Sequence, residues 1–277
     1  RQMCIRDSGN TARSDKYNRS GQAMVSTKWL KSRRLLTSIG YRYETVKNES
    51  QNSVVDPVTR VFTGWTPKQV TLDANTDNLN YNAIFRVTDW LSVYGGYAES
   101  FEYSGGATSL DNKLMPMVGA EGVEFGARFK LFEGRVNASV VYYQNERLNQ
   151  RLAGSSADIN EIWTDLGPTF SDRHVPGGYN DTQSWRGTGF EFEVVANPTR
   201  NWRVMANVSV PKAVQIDGYE ATKAYFAANL PVWQAEVARL NPAANAQIIQ
   251  RINTNIADIR NRNDSFAEGR TLNDSYK

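Results

Sequence analysis

Val123–Gln144 reads VEFGARFKLFEGRVNASVVYYQ, and every second residue of it belongs to a different class. Val123, Phe125, Ala127, Phe129 and Leu131 are apolar, while Glu124, Gly126, Arg128 and Lys130 between them are charged or small. Beyond the turn at FEGR the alternation resumes with Val136, Ala138, Val140 and Tyr142 set against Asn137 and Ser139; Val141 and Tyr143 break it. A period of two is the signature of a strand with one apolar face and one polar face. The stretch therefore predicts a hairpin, and the question is what covers its apolar side.

The same grammar recurs along the chain. Gly21–Leu30 and Leu35–Lys47 form one pair, Leu79–Val87 and Leu91–Phe101 a second, the opening stretch a third, and Phe190–Ala196 with Trp202–Ser209 a fourth. Within pairs the connections are short (KSRR, TDW, FEGR, NPTRN). Between pairs they are long: 48–78, 102–120, 152–184 and everything after Val210. Long structureless connections are uncommon in compact soluble domains. Short turns on one side and long loops on the other are the habit of membrane β-barrels.

Aromatic residues fall in two bands. Trp29, Trp90, Phe132 and Trp202 sit at the short turns, and Tyr41, Tyr43, Tyr81, Tyr97, Phe101, Tyr142 and Tyr143 lie toward the far strand ends. From Phe132 to Tyr142 the strand rises roughly 33 Å, which at a tilt of about 40° spans roughly 25 Å, the height of the apolar band between two aromatic girdles. The predicted partner of the apolar face is thus lipid, and the charged face looks into a wide lumen. A soluble β-sandwich would explain the alternation but neither the bands nor the one-sided loop lengths.

Composition is compatible with this. The 277 residues are 40% hydrophobic with a mean hydropathy of −0.55, and no run of 18 apolar residues marks a membrane helix. The net charge of +3, from scattered Lys and Arg, argues against a nucleic-acid partner. One cysteine, Cys4, excludes an internal disulfide, and with the single His174 it cannot build a usual zinc site. No cofactor is called for. No nucleophile elbow, phosphate loop or zinc-protease helix is present, so the chain is not expected to be an enzyme. His174 is expected to be solvated, and DANTDN (73–78) lacks the spacing of a calcium loop. Glu191 and Glu193, one pleat apart, are expected to pair with Arg or Lys on neighbouring strands.

The expected fold class is all-β: a transmembrane antiparallel β-barrel fragment, an open sheet of about eight strands, with an α-helical insertion near the C-terminus. Residues 1–8 (RQMCIRDS) resemble translated adapter sequence and are set aside. Residues 9–210 are expected to form four hairpins of a partial barrel, and 211–277 a mostly helical extracellular-loop insertion. A first helix is expected to break at Pro231, with Trp233, Val237 and Leu240 on one face. Asn241–Pro242 starts a second helix, with Ile248, Ile252, Ile256 and Ile259 as its stripe. Both ends of the four-hairpin array fall on the long-loop side, so the barrel is expected to continue beyond each. Eight strands would also make too narrow a barrel for Arg86, Arg128, Lys130, Glu191, Glu193 and Arg203 to share its interior.

In order, LSVYGGYAESF, then LMPMVGAEGVEFGARFKLFEGRVNASVVYYQ, then GTGFEFEVVANPTRNWRVMANVS are similar to the C-terminal half of TonB-dependent receptors, nearest the siderophore-receptor branch. The residues carrying the likeness are Ser100, Phe101, Pro116, Gly119, Glu124, Gly126, Gly134, Arg135, Gly189 and Glu191. The resemblance implies a 22-stranded barrel plugged by an N-terminal domain. It implies a place in the outer membrane of a Gram-negative-type bacterium. The implied function is import of a scarce solute such as a ferric siderophore, driven by an inner-membrane energy-coupling complex. The alternative is a passive porin or a surface-binding barrel. Expected partners are outer-membrane lipid, the plug of the same chain, the coupling complex and an iron chelate. Arg86, Glu124, Arg128, Lys130, Glu191, Glu193 and Arg203 are expected to face the lumen and the plug. The loop aromatics Trp65, Tyr103, Trp163 and Tyr179 are candidates for stacking on the solute.

Overall fold

A computed structural model describes residues 11–103, 108–111, 113–266 and 268–271. The adapter-like segment 1–8, with Cys4, lies outside the described residues. The order of elements is β1 (Ala12–Trp29), β2 (Leu35–Val55), β3 (Phe62–Trp65), β4 (Gln69–Arg86), β5 (Leu91–Glu102), β6 (Val118–Leu131), β7 (Val136–Ser155), α1 (Ala157–Leu166), β8 (Gly178–Thr199), β9 (Trp202–Gly218), α2 (Glu220–Arg239) and α3 (Pro242–Asp264). Strand order follows the sequence, β1-β2-β4-β5-β6-β7-β8-β9, with β3 beside β2. The sheet is open, as expected, and has nine strands because the short β3 adds one.

The chain divides into two units, 1–23 with 40–78, and 24–39 with 79–277. In the first, β3 adds to β2 with Ser53 opposite Trp65 and Val55 opposite Phe62. Polar pairs tie this unit together: Lys68 Nζ reaches Asp15 at 2.8 Å and Glu49 at 3.4 Å, and Asn48 bonds Thr71 at 2.8 Å. Val46 and Leu72 are its buried apolar residues.

In the second unit the register puts the alternation of the sequence onto two faces. Phe125 lies opposite Tyr142, which lies opposite Phe190, which lies opposite Val210. Two residues along, Ala127, Val140, Phe192 and Val208 repeat the row. No second layer of the protein covers this face among the described residues: Phe125 is 59% exposed and Val194 41%. An unbroken apolar sheet face of this kind needs a nonaqueous partner. Its lower edge carries Trp29, Trp90, Phe132 and Trp202, all exposed. Its upper edge carries the stacked pair Tyr81–Tyr97 at 5.2 Å and the pair Tyr142–Phe190 at 5.2 Å. Phe132, Glu133 and Gly134 all take left-handed φ values, which lets the β6–β7 turn close tightly.

The long connections are more ordered than the sequence suggests. β2, β7 and β8 have 21, 20 and 22 residues, about twice the length a strand needs to cross a bilayer. The surplus lies in segments where neither face meets lipid, so the apolar alternation fades while the backbone ladder continues. The stretch 152–184, expected to be structureless, holds the end of β7, α1 and the start of β8. β9 likewise runs on past Val210 to Gly218.

The helices form a core of their own. Ile159, Ile162 and Trp163 of α1 pack with Trp233 of α2 and Ile252, Ile256 and Ile259 of α3. Trp163 meets Trp233 edge-on at 5.6 Å and donates its indole N–H to Tyr225 at 2.9 Å. The expected break at Pro231 does not occur: α2 runs through it, since proline removes one backbone donor and the Trp233 face stays packed. Asn241 caps α3 as expected, accepting from the Ala243 N–H at 3.0 Å. Tyr219, the residue before α2, has a left-handed φ and offers no side-chain cap. The buried carboxylate of Asp181 on β8 does so instead, accepting from the Thr222 N–H at 2.8 Å and the Thr222 hydroxyl at 2.6 Å. After α3 the chain returns to the edge of β9, where Gly269 N–H donates to Gln215 and Gln215 N–H to Arg270, both at 2.9 Å.

Two expectations follow. Val194→Arg, on the apolar face, costs about 2–4 kcal/mol of barrel stability. Asn207→Arg, opposite Glu193 on the other face, costs much less; equal costs in folding titrations into phospholipid vesicles refute the assignment of faces. Trp233→Ala costs about 3–5 kcal/mol within the helical core alone. Limited proteolysis should then cut α2 and α3 while the strands stay protected, and loss of strand protection as well would show that the two do not fold separately.

Candidate functional site

The second face of the same sheet is built from the alternate residues, and register alone assembles it. One row across β4 to β9 reads Arg86, Ser92, Arg128, Ser139, Glu193, Asn207. The next reads Ile84, Tyr94, Gly126, Val141, Glu191, Ser209, and the next Asn82, Gly96, Glu124, Tyr143, Gly189, Pro211. Lys130 lies one row below, opposite Asn137. Arg203 alternates with the outward Val204 and so belongs to this face. An open groove of ≈ 820 Å³ runs over Arg86, Arg128, Lys130, Glu191 and Glu193. The register thus puts Arg86, Glu124, Arg128, Lys130, Glu191 and Glu193 on one face of the sheet, and alternation adds Arg203.

Their electrostatics differ from expectation. Glu191 and Glu193 do not pair with Arg or Lys of adjacent strands. Among the described residues none of the seven charges stands in an ion pair, whereas Arg186–Glu146 (2.6 Å) and Arg147–Glu102 (3.0 Å) higher on the sheet do. Ser139 stands between Arg128 and Glu193 in the row, and the Arg128 guanidinium turns the other way, onto the Tyr94 ring.

Rings lie flat on this face over glycines. The Tyr94 ring covers Gly126, where an added Cβ would fall 2.5 Å from it, and the Arg128 guanidinium sits 4.5 Å above the same ring. Tyr143 covers Gly189 in the same way, its hydroxyl 2.6 Å from where a Cβ would stand. Val141 and Tyr143, exceptions in the alternation, thus belong to the charged face, where Tyr143 needs Gly189 beneath it.

The four loop aromatics are not brought together. Trp65 lies in β3, edge-on to Phe62 at 5.4 Å. Tyr103 follows β5 and is half-buried. Trp163 (0% exposed) and Tyr179 (2%) are interior to the helical core and present no ring face to a solute. Burial raises the Tyr179 phenol pKa, and its hydroxyl lies 3.1 Å from the Thr222 hydroxyl, whose own proton goes to Asp181. His174 contacts the Thr164 hydroxyl at 3.2 Å. Trp185, on the charged face opposite Arg147, escaped the sequence reading, although the parity of β8 from Glu193 and Glu191 back through Gly189 and Gly187 leads to it.

The sequence matches the family described as "TonB dependent receptor-like, beta-barrel" over residues 6–274. No curated protein matches it. Among solved structures, the ferric-catecholate import receptor Fiu from K12 E. coli aligns with TM-score 0.53 at 16% identity, over 74% of this chain and 29% of that one. The FpvAI–pyocin S2 complex aligns with TM-score 0.52 at 17% identity, over 73% and 24%. The alcaligin outer-membrane receptor FauA from Bordetella pertussis aligns at 0.49 and 15% identity, over 73% and 31%. The chain spans less than a third of the length of each of these.

The packing of Tyr94 on Gly126 makes a specific prediction. Gly126→Ala costs about 1–3 kcal/mol, because the ring must lift and take Arg128 with it. Removing the ring first, with Tyr94→Ala, should abolish most of that cost. Additive penalties in a double-mutant cycle on the refolded barrel would show that the ring does not lie on Gly126.

Proposed function

This chain belongs to the TonB-dependent receptor β-barrel family, an outer-membrane family of Gram-negative bacteria, and we propose that it is a wall segment of an active transporter importing a scarce solute. The apolar face meets lipid. The charged face is the seat of a plug domain in the same full-length chain, and energy for release comes from an inner-membrane complex. By analogy with the ferric-catecholate import receptor among the similar folds, the solute class is a ferric siderophore.

The observation that carries this reading is the set of separated charges. Arg86, Arg128 and Lys130 lie toward β4 and β6, Glu191 and Glu193 on β8, and none is neutralised by a neighbour. A wall that keeps its charges apart leaves each of them able to bond a second body with a polar surface. Because such bonds replace water rather than apolar contact, each contributes only about 1 kcal/mol, which suits a plug that must be held and yet released. Lys130 and Arg203 near the short turns extend this surface downward.

A passive porin would use the same charges to set ion selectivity in an open channel. Planar-bilayer recording of the full-length protein separates the two. The expected result is a closed resting state that conducts once the N-terminal plug segment is deleted. A large, steady, ion-selective current from the intact resting protein would reject the transporter reading.

A further inference from the structure

We propose that three consecutive residues near the start of β8, Tyr179, Asn180 and Asp181, clasp three separate connections into one cooperative unit that opens as a whole or not at all. The connections are those between β5 and β6, between β7 and β8, and after β9. The inference goes beyond the transporter reading and holds equally for an open channel. Each of the three residues engages a different connection. Tyr179 is 2% exposed and belongs to the buried cluster that Ile162 and Trp163 of α1 form with Trp233 and Ile252. Asn180 reaches the β5–β6 connection. Its backbone N–H donates to the Thr108 carbonyl at 3.0 Å, its side-chain amide donates to the same oxygen at 3.3 Å, and it forms a parallel bridge with Ser109. Its amide oxygen in turn accepts from Arg151 of β7.

Asp181 holds the third connection, at the start of α2. One carboxylate oxygen accepts from the Thr222 N–H and hydroxyl, and the other from the Ala221 N–H at 3.3 Å and the Thr182 N–H at 2.8 Å. Tyr219 adds two bonds beside it: its N–H donates to the Thr182 carbonyl at 2.9 Å and its hydroxyl to the Ala153 carbonyl at 3.3 Å. The connections also share one core. Leu110, next in sequence to the bridged Ser109, is 4% exposed and lies in the same cluster as the helices. The β5–β6 connection thus contributes a side chain to a core whose other parts come from α1, α2 and α3.

Partial opening is disfavoured from every side. Withdrawing Leu110 leaves a cavity in the helical core. Lifting α2 alone uncovers Trp163 and strips the Asp181 carboxylate of each of these donors but the Thr182 N–H. An acceptor left unpaired costs more than its bond contributed. Opening the whole unit at once lets water reach all of these groups together. Segments linked in this way lose their structure as one unit, whereas loops with separate contacts fluctuate separately. A molecule that grips one connection in its closed form therefore stabilises the other two.

The test is hydrogen exchange of the full-length protein in detergent, read by mass spectrometry over a series of low denaturant concentrations. Peptides covering 108–114, α1, α2 and α3 are followed. The expected result is that all four lose protection along one common curve; separate curves overturn the clasp. Leu110→Ala changes the β5–β6 connection alone. It should speed exchange about tenfold or more in α2 and α3 as well as in its own segment. Asp181→Asn acts on α2 and should speed exchange in 108–114 by the same factor as in α2. Acceleration confined to the connection that was altered overturns the proposal. Thermal melts check that each variant is folded, and if neither folds the curves of the native protein decide.

Discussion

A bilayer core contains no water, and nearly every feature of the sheet answers to that. Each backbone N–H and C=O that crosses it must find a partner within the protein, so the strands pair with their sequence neighbours in continuous ladders from β4 to β9. Side chains on the lipid side must be apolar, while those on the other side are under no such demand. A chain obeying both conditions has no choice but to alternate, and the alternation of Val123–Gln144 is the imprint of the solvent rather than of a core. Among the described residues the buried hydrophobic cluster lies in the helical body and not under the apolar rows of the sheet.

The opposite face solves a different problem. A large wet surface built from strands could collapse into internal ion pairs; Arg147 does pair with Glu102, but among the described residues the charges of the lower rows do not. Ser92 separates Arg86 from Arg128, and Ser139 separates Arg128 from Glu193, along a single row. Tyrosines laid over glycines fill the pleats without adding height, so the surface stays smooth and polar.

What could be read from the sequence tracks where lipid imposes a pattern. The four hairpins, the two faces and the aromatic edges were legible because Phe125, Phe190 and Val204 have to alternate with Arg128, Glu191 and Arg203. Beyond the membrane the constraint lapses: Lys47–Val55 is strand in β2 yet mixes both classes on both faces. Helix α1 was overlooked for a related reason. Its apolar residues Ile159, Ile162, Trp163 and Leu166 fall at helical spacing, but one short helix means little until α2 and α3, far along the chain, cover it. The placement of Trp163 and Tyr179 followed from that packing, so taking them for exposed ligand-stacking residues missed the partners that bury them. The cap of α2 by Asp181 was hidden for the same reason: donor and acceptor lie on different connections.

The helical body draws α1 from the connection between β7 and β8, and α2 with α3 from the one that follows β9. Its second part leaves β9 at Gly218 and is back beside Gln215 by Gly269, so its ends are held together by the sheet and the entropy of closing so long an excursion is largely met by strands that are in place anyway. That makes the excursion easy to lengthen, but not alone. Shortening it would strip Ile159, Ile162 and Trp163 of cover, and altering α1 would open the face of Trp233. Most connections between strands can vary independently; these two are bound to drift as a pair, and a change fixed in one is expected to be answered by a change in the other.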